Sequence, residues 1–98
     1  MTENELFTLA KSLMDATGWT YWFPKRTWGE RDIAGIFDFI SFKGSHLRLV
    51  QITTISNVSH RVKKIKKFCA AHNLRIETAW IWGWDEKIKR FRFFKITN

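Results

Sequence analysis

Apolar residues recur at helical spacing through the first part of the chain, at Leu6, Leu9, Ala10 and Leu13, closing at Thr17 before Gly18. Thr2 and Glu5 have the spacing of a capping box, in which a hydroxyl and a carboxylate each accept from the other's backbone N–H. A helix over 3–17 follows, with Gly18 as its stop and Glu5 serving as part of its cap. The next segment, GWTYWF over 18–23, is aromatic and β-branched and reads as a short strand ended by Pro24. Lys25 and Arg26 lie in the polar connection after it, and Glu30 and Asp32 read as solvated loop charges paired with Arg31, the alternative being a hard-cation site formed with Asp38.

Residues 35–54, GIFDFISFKGSHLRLVQITT, read as two strands around a Gly44-Ser45 turn. The second arm alternates, so that Leu47, Leu49, Gln51 and Thr53 share one face while Arg48, Val50, Ile52 and Thr54 share the other. A turn centred between Gly44 and Ser45 places Asp38 opposite Gln51, with Cβ atoms about 4.5–5.5 Å apart. An acid, an amide and a hydroxyl would then meet on one patch. Asp38 is flanked by Ile36, Phe37, Phe39 and Ile40, which implies burial. A buried carboxylate is costly without a cation, a metal or several donors beside it.

A second helix is expected over 59–72, with Val62, Ile65, Phe68 and Cys69 facing inward. Arg61, Lys63, Lys64, Lys66 and Lys67 occupy its flanks and outer side. Two strands close the chain, over 75–84 and 90–96. With their turn centred on Lys87, Trp84 faces Arg90, Trp82 faces Arg92 and Trp80 faces Phe94, an arrangement suited to cation–π contacts. This hairpin reads as self-satisfied or as a dimer surface; a platform for stacking unpaired bases is the alternative.

Ninety-eight residues suffice for one domain, 1–98, with a single modest core. Charge changes the picture more than length does. The net +8 is confined to one half: residues 1–55 carry six Lys/Arg against six Asp/Glu, and residues 56–98 carry eleven against three. Five cations with no intervening acid repel one another on a helix, so a polyanionic partner, DNA most simply, is expected. Cys69 is alone, which excludes a disulfide framework and fits a reducing cytoplasm. The longest apolar run, 79–84, is far too short to span a bilayer, and no signal segment opens the chain. His46, His60 and His72 are too scattered for a zinc site, and Cys69 lies on the inner stripe, away from any nucleophilic role.

The order helix, three strands, helix, two strands, with Asp38 on one hairpin arm and Gln51-Ile52-Thr53 on the other, resembles the PD-(D/E)XK nuclease superfamily. Within it the small size and basic second helix are similar to the archaeal Holliday junction resolvase and phage-type branches. The resemblance covers residues 3–96. It implies an α/β, restriction endonuclease-like αβββαββ fold, a mixed sheet flanked by two helices. It also implies catalytic roles for Asp38, Gln51, Thr53 and Lys64, with Asp38 and Gln51 holding Mg²⁺ or Mn²⁺. Asp38 matches the family's first acid. Gln51 stands in place of its second acid, Thr53 in place of its lysine, and Phe37 in place of its proline.

A glutamine oxygen ligates Mg²⁺ weakly, and a threonine supplies no cation to the phosphate. Lys64 or Arg61 is then the natural source of positive charge. Three functions follow. The first is a Mg²⁺-dependent endonuclease or junction resolvase, working on branched DNA as a two-fold homodimer. The second is a nuclease-fold protein that binds DNA through Arg61, Lys63, Lys64, Lys66 and Lys67 without cutting. The third is a protein-interaction module built on the tryptophan hairpin.

Overall fold

The computed structural model describes residues 1–24, 33 and 35–97. Lys25, Arg26, Glu30, Arg31 and Asp32, expected to form a polar loop, lie outside the described residues. Helix α1 spans Glu3–Thr17, as its punctuation predicts. Thr2 accepts from the Glu5 N–H, Glu5 accepts from the Thr2 N–H, and Gly18 ends the helix at φ 78°. Its buried stripe is Leu6, Phe7, Ala10 and Met14. Leu9 and Leu13, expected on that stripe, lie at its edge, 40% and 37% exposed. Phe7 and Met14 take their places, with Leu6, Ala10 and Met14 forming an i, i+4 row against the sheet.

Five strands form one mixed sheet in chain order: β1 (Thr20–Trp22), β2 (Phe39–Lys43), β3 (His46–Thr54), β4 (Ala79–Asp85) and β5 (Arg90–Lys95). All neighbours are antiparallel except β3 and β4, which run parallel. A parallel pair needs a crossover, and helix α2 (Val58–His72), entered through a 3₁₀ turn over Ile55–Asn57, supplies it. A second 3₁₀ turn, Ile76–Thr78, occupies the start of the segment expected to be strand.

The two helices cover opposite faces. On the α1 face, Leu6, Ala10 and Met14 meet Phe39, Val50, Trp82, Trp84 and Phe91. On the α2 face, Ile65 and Cys69 meet Ile36, Phe37, Ala79, Ile81 and Ile96. Burial on both sides explains why β4, AWIWGWD, is apolar at consecutive positions rather than alternating. The Cys69 thiol is pushed up by burial, which keeps it protonated and poorly nucleophilic.

The first hairpin has the expected register, from Phe39 against Val50 to Lys43 against His46, around Gly44 at φ 58°. The last does not. Trp82 lies against Phe93, Trp84 against Phe91, and Asp85 against Arg90. The expected Trp–Arg pairs are replaced because the turn holds four residues, 86–89, with Lys89 left-handed at φ 54°. A one-residue shift carries every side chain to the other face. Trp82 and Trp84 are buried in the α1-face core, and Trp80 is half-buried, so of the three tryptophans expected to supply a dimer surface only Trp80 is partly displayed. Among the described residues no helix is long and apolar enough to cross a membrane.

Candidate nucleic-acid interface

The hairpin ladder is interrupted where Asp38 would join it. The Asp38 N–H donates to Val50 O at 2.8 Å, although Phe39 is the residue in register with Val50. Two successive residues therefore stand against one, the mark of a β-bulge. The Asp38 carboxylate takes over the next place in the ladder: its Oδ2 accepts from the Ile52 N–H at 2.6 Å. A charged acceptor in that position satisfies a strand amide that the bulge would otherwise leave without a partner. Asp38 is buried, as its apolar neighbours imply.

The bulge also breaks alternation. Phe37 packs on the α2 face, edge-on to Phe68, whereas Phe39 stacks on Phe23 and meets Trp82 on the α1 face. Asp38 goes with Phe39, bordering a cleft whose other walls include Phe7, Thr8 and Lys11 of α1 and Phe23. Gln51 is in register with Ile81, and Thr53 with Gly83, which places both on the α2 face. The expected convergence of acid, amide and hydroxyl on one patch does not form. Gln51 and Thr53 remain together, both buried, and Asp38 opens on the other side.

Replacing Asp38 with alanine is expected to leave the Ile52 amide without an acceptor and to cost about 1–3 kcal/mol. Asparagine keeps an oxygen there and should cost less. Urea denaturation midpoints of the two variants check this order.

On the α2 face two polar atoms are buried without a hydrogen-bond partner among the described residues, Gln51 Oε1 and Arg61 Nε. Arg61 is half-buried, while Lys63, Lys64, Lys66 and Lys67 are exposed. Helix α2, VSHRVKKIKKFCAAH, has no acid anywhere along it. The cation ridge expected from the sequence thus lies on the outside of the helix that covers Gln51 and Thr53, with Arg61 nearest the buried layer.

Mg²⁺ demands a near-octahedral shell of oxygens, commonly with one or two carboxylates. Among the described residues no three His, Cys, Asp or Glu side chains converge. Asp38 and Gln51, the pair expected to share a metal, stand on opposite sides of the sheet.

One cationic site was not foreseen. Arg48 lies with its guanidinium carbon 3.6 Å from the Trp19 ring centre and about 5.5 Å from those of Trp80 and Trp82. The alternation of β3 already placed Arg48 on the same face as Val50 and Ile52, a cation on an apolar row. What the strand pattern alone does not reveal is that Trp19 and β4 bring three indoles to it.

No protein-family model, curated protein or solved structure matches this chain. Its class is α/β, with a five-stranded mixed sheet between two helices.

Proposed function

We propose that the protein binds DNA through α2, on a scaffold related to the PD-(D/E)XK nucleases, and that binding rather than cutting is its activity. The observation that carries this reading is the ridge of Lys63, Lys64, Lys66 and Lys67, four exposed cations on a helix without a compensating acid. Lysines on one side of a helix neutralise successive phosphates and release their counterions. The helix order and the parallel β3–β4 pair are in keeping with the nuclease scaffold. Asp38, Gln51 and Thr53 argue against hydrolysis in its usual form, because the carboxylate is engaged by the Ile52 N–H and borders the α1 cleft, whereas the amide and hydroxyl face α2. Lys64 then serves the DNA backbone and not a catalytic centre.

A second reading is kept open by the bulge itself. Bulges are over-represented beside active sites, and Asp38 occupies the one at the entry to β2. In that reading the protein is a metal-dependent endonuclease or junction resolvase, cutting as a homodimer.

One assay separates the two: linear, supercoiled and four-way-junction DNA are incubated with the protein and Mg²⁺ or Mn²⁺. Salt-sensitive binding without strand breaks is expected. Cleavage by the wild type that disappears in Asp38→Asn would install the nuclease reading, and that variant keeps an acceptor for Ile52. Absence of binding at low salt would remove DNA as the partner.

A further inference from the structure

The face opposite α2 carries its own cationic feature. Trp19, Arg48, Trp80, Trp82 and Phe93 line one cleft beside α1. Arg48 Nε donates to Ser41 Oγ at 3.3 Å, and no carboxylate among the described residues lies within ion-pair distance of the guanidinium. Burial pushes the guanidinium below its ordinary value.

Trp82, on the same wall and 2% exposed, has an indole N–H with no acceptor among the described residues. Arginine and the indole N–H are donors only. Arg48 has only a hydroxyl acceptor among the described residues, and a negatively charged one suits it best. The walls also select the body of the ligand. They are flat π-faces, and Phe93, 48% exposed, offers a ring at the mouth.

We propose that this cleft receives an unpaired nucleotide of a DNA strand, with a phosphate on Arg48 and the adjoining base stacked on Phe93. The assignment rests on the reading of DNA as partner, and the strong net positive charge agrees with it. A paired base is already stacked within its helix and has no free face for Phe93. The cleft is therefore specific to single strands, whereas the α2 ridge meets phosphates of any duplex. The two surfaces lie on opposite faces of the sheet, so one molecule can hold a duplex and an unpaired tail together.

The test uses the intact protein and a short oligothymidylate, read by quenching of tryptophan fluorescence. Phe93→Ser removes a half-exposed ring from the edge of the Trp82 cluster and should lower stability modestly while leaving the fold intact. Arg48→Gln removes the cation, and thermal unfolding of both variants confirms that they are folded. Loss of one base–aromatic stack is expected to weaken oligothymidylate binding about 5- to 150-fold in Phe93→Ser. Arg48→Gln should weaken it and flatten its salt dependence by one phosphate contact, about 0.7 in slope. Duplex binding should be unchanged in both.

Equal oligothymidylate binding by wild type and both variants would overturn the proposal, making Arg48 a cationic plug in an aromatic wall. Thymidine monophosphate binding as tightly as the oligomer would overturn the assignment to a strand. If the cleft variants lose single strands while α2 variants keep duplex, the cleft stands and the α2 reading falls. These failures are separable.

Discussion

Replacing Trp82 with alanine is expected to cost about 3–5 kcal/mol, the range for truncating a large buried aromatic. Trp82 lies at the centre of the α1 face, with ring centres 5.2 Å from Phe39, 5.7 Å from Phe91 and 5.0 Å from Phe93. The contacts to Phe39 and Phe93 are edge-on, at 78° and 87°, the arrangement that aromatic quadrupoles favour. Phe39 in turn stacks on Phe23 at 4.6 Å, so a void at Trp82 propagates toward α1 and β1. A domain of this size has about 5–15 kcal/mol in total. The loss should lower the melting temperature by roughly 15–30 °C.

Trp82→Phe keeps one aromatic ring, leaves a smaller void and gives up an indole N–H that has no protein acceptor among the described residues, and should be milder than alanine. Trp22→Ala, at a ring 51% exposed, should cost about 1–2 kcal/mol, well below Trp82→Ala. Calorimetry on the three variants orders them. Similar melting points for Trp82→Ala and Trp22→Ala would show that the aromatic cluster is not the core.

That cluster marks where sequence reasoning reached its limit. Helix α1 is legible to the residue because its ends carry their own chemistry: a Thr2–Glu5 box at one, Gly18 at the other. The first hairpin is legible for the same reason, since Gly44 at φ 58° fixes the two-residue turn and the turn fixes the ladder. The last hairpin has no such residue. Its turn runs EKIK, and nothing in those types distinguishes three residues from four. Lys89 adopts the left-handed conformation that glycine or asparagine would have announced.

The candidate site failed to be legible by a related route. Counting back from Gly44 assumes an unbroken ladder, and the bulge at Asp38 breaks it one residue beyond the last regular pair. A single extra residue moved the carboxylate to the α1 side. Arg48 was missed because its partners come from three separate segments: Ser41 in β2, Trp19 before β1, and Trp80 and Trp82 in β4. Strand alternation gives its face but not the indoles gathered there.

The basic helix is where pattern and structure agree, and it carries the second large expectation. Substituting Lys63, Lys64, Lys66 and Lys67 together with glutamine should weaken duplex DNA binding about 10²–10³-fold near 0.1 M salt. Glutamine and lysine have nearly equal helix propensity, so α2 itself should persist. Each phosphate contact contributes about 0.9 to the slope of log K against log salt, and the quadruple variant should lose about 3 to 4 of that slope.

Charge alone does not explain such a result if its position matters, and a matched pair decides the point. Lys63→Gln with Lys67→Gln removes two charges from the ridge, one turn apart and both exposed. Lys87→Gln with Lys95→Gln removes two from the last hairpin, also exposed. The ridge pair should lower the slope by about 2 and the hairpin pair by much less. Equal losses would mean that DNA senses only the overall positive field, and the interface would have to be sought away from α2. Unequal losses in the expected order locate the phosphates on the face of α2 turned away from Ile65 and Cys69, the residues that anchor this helix to the sheet.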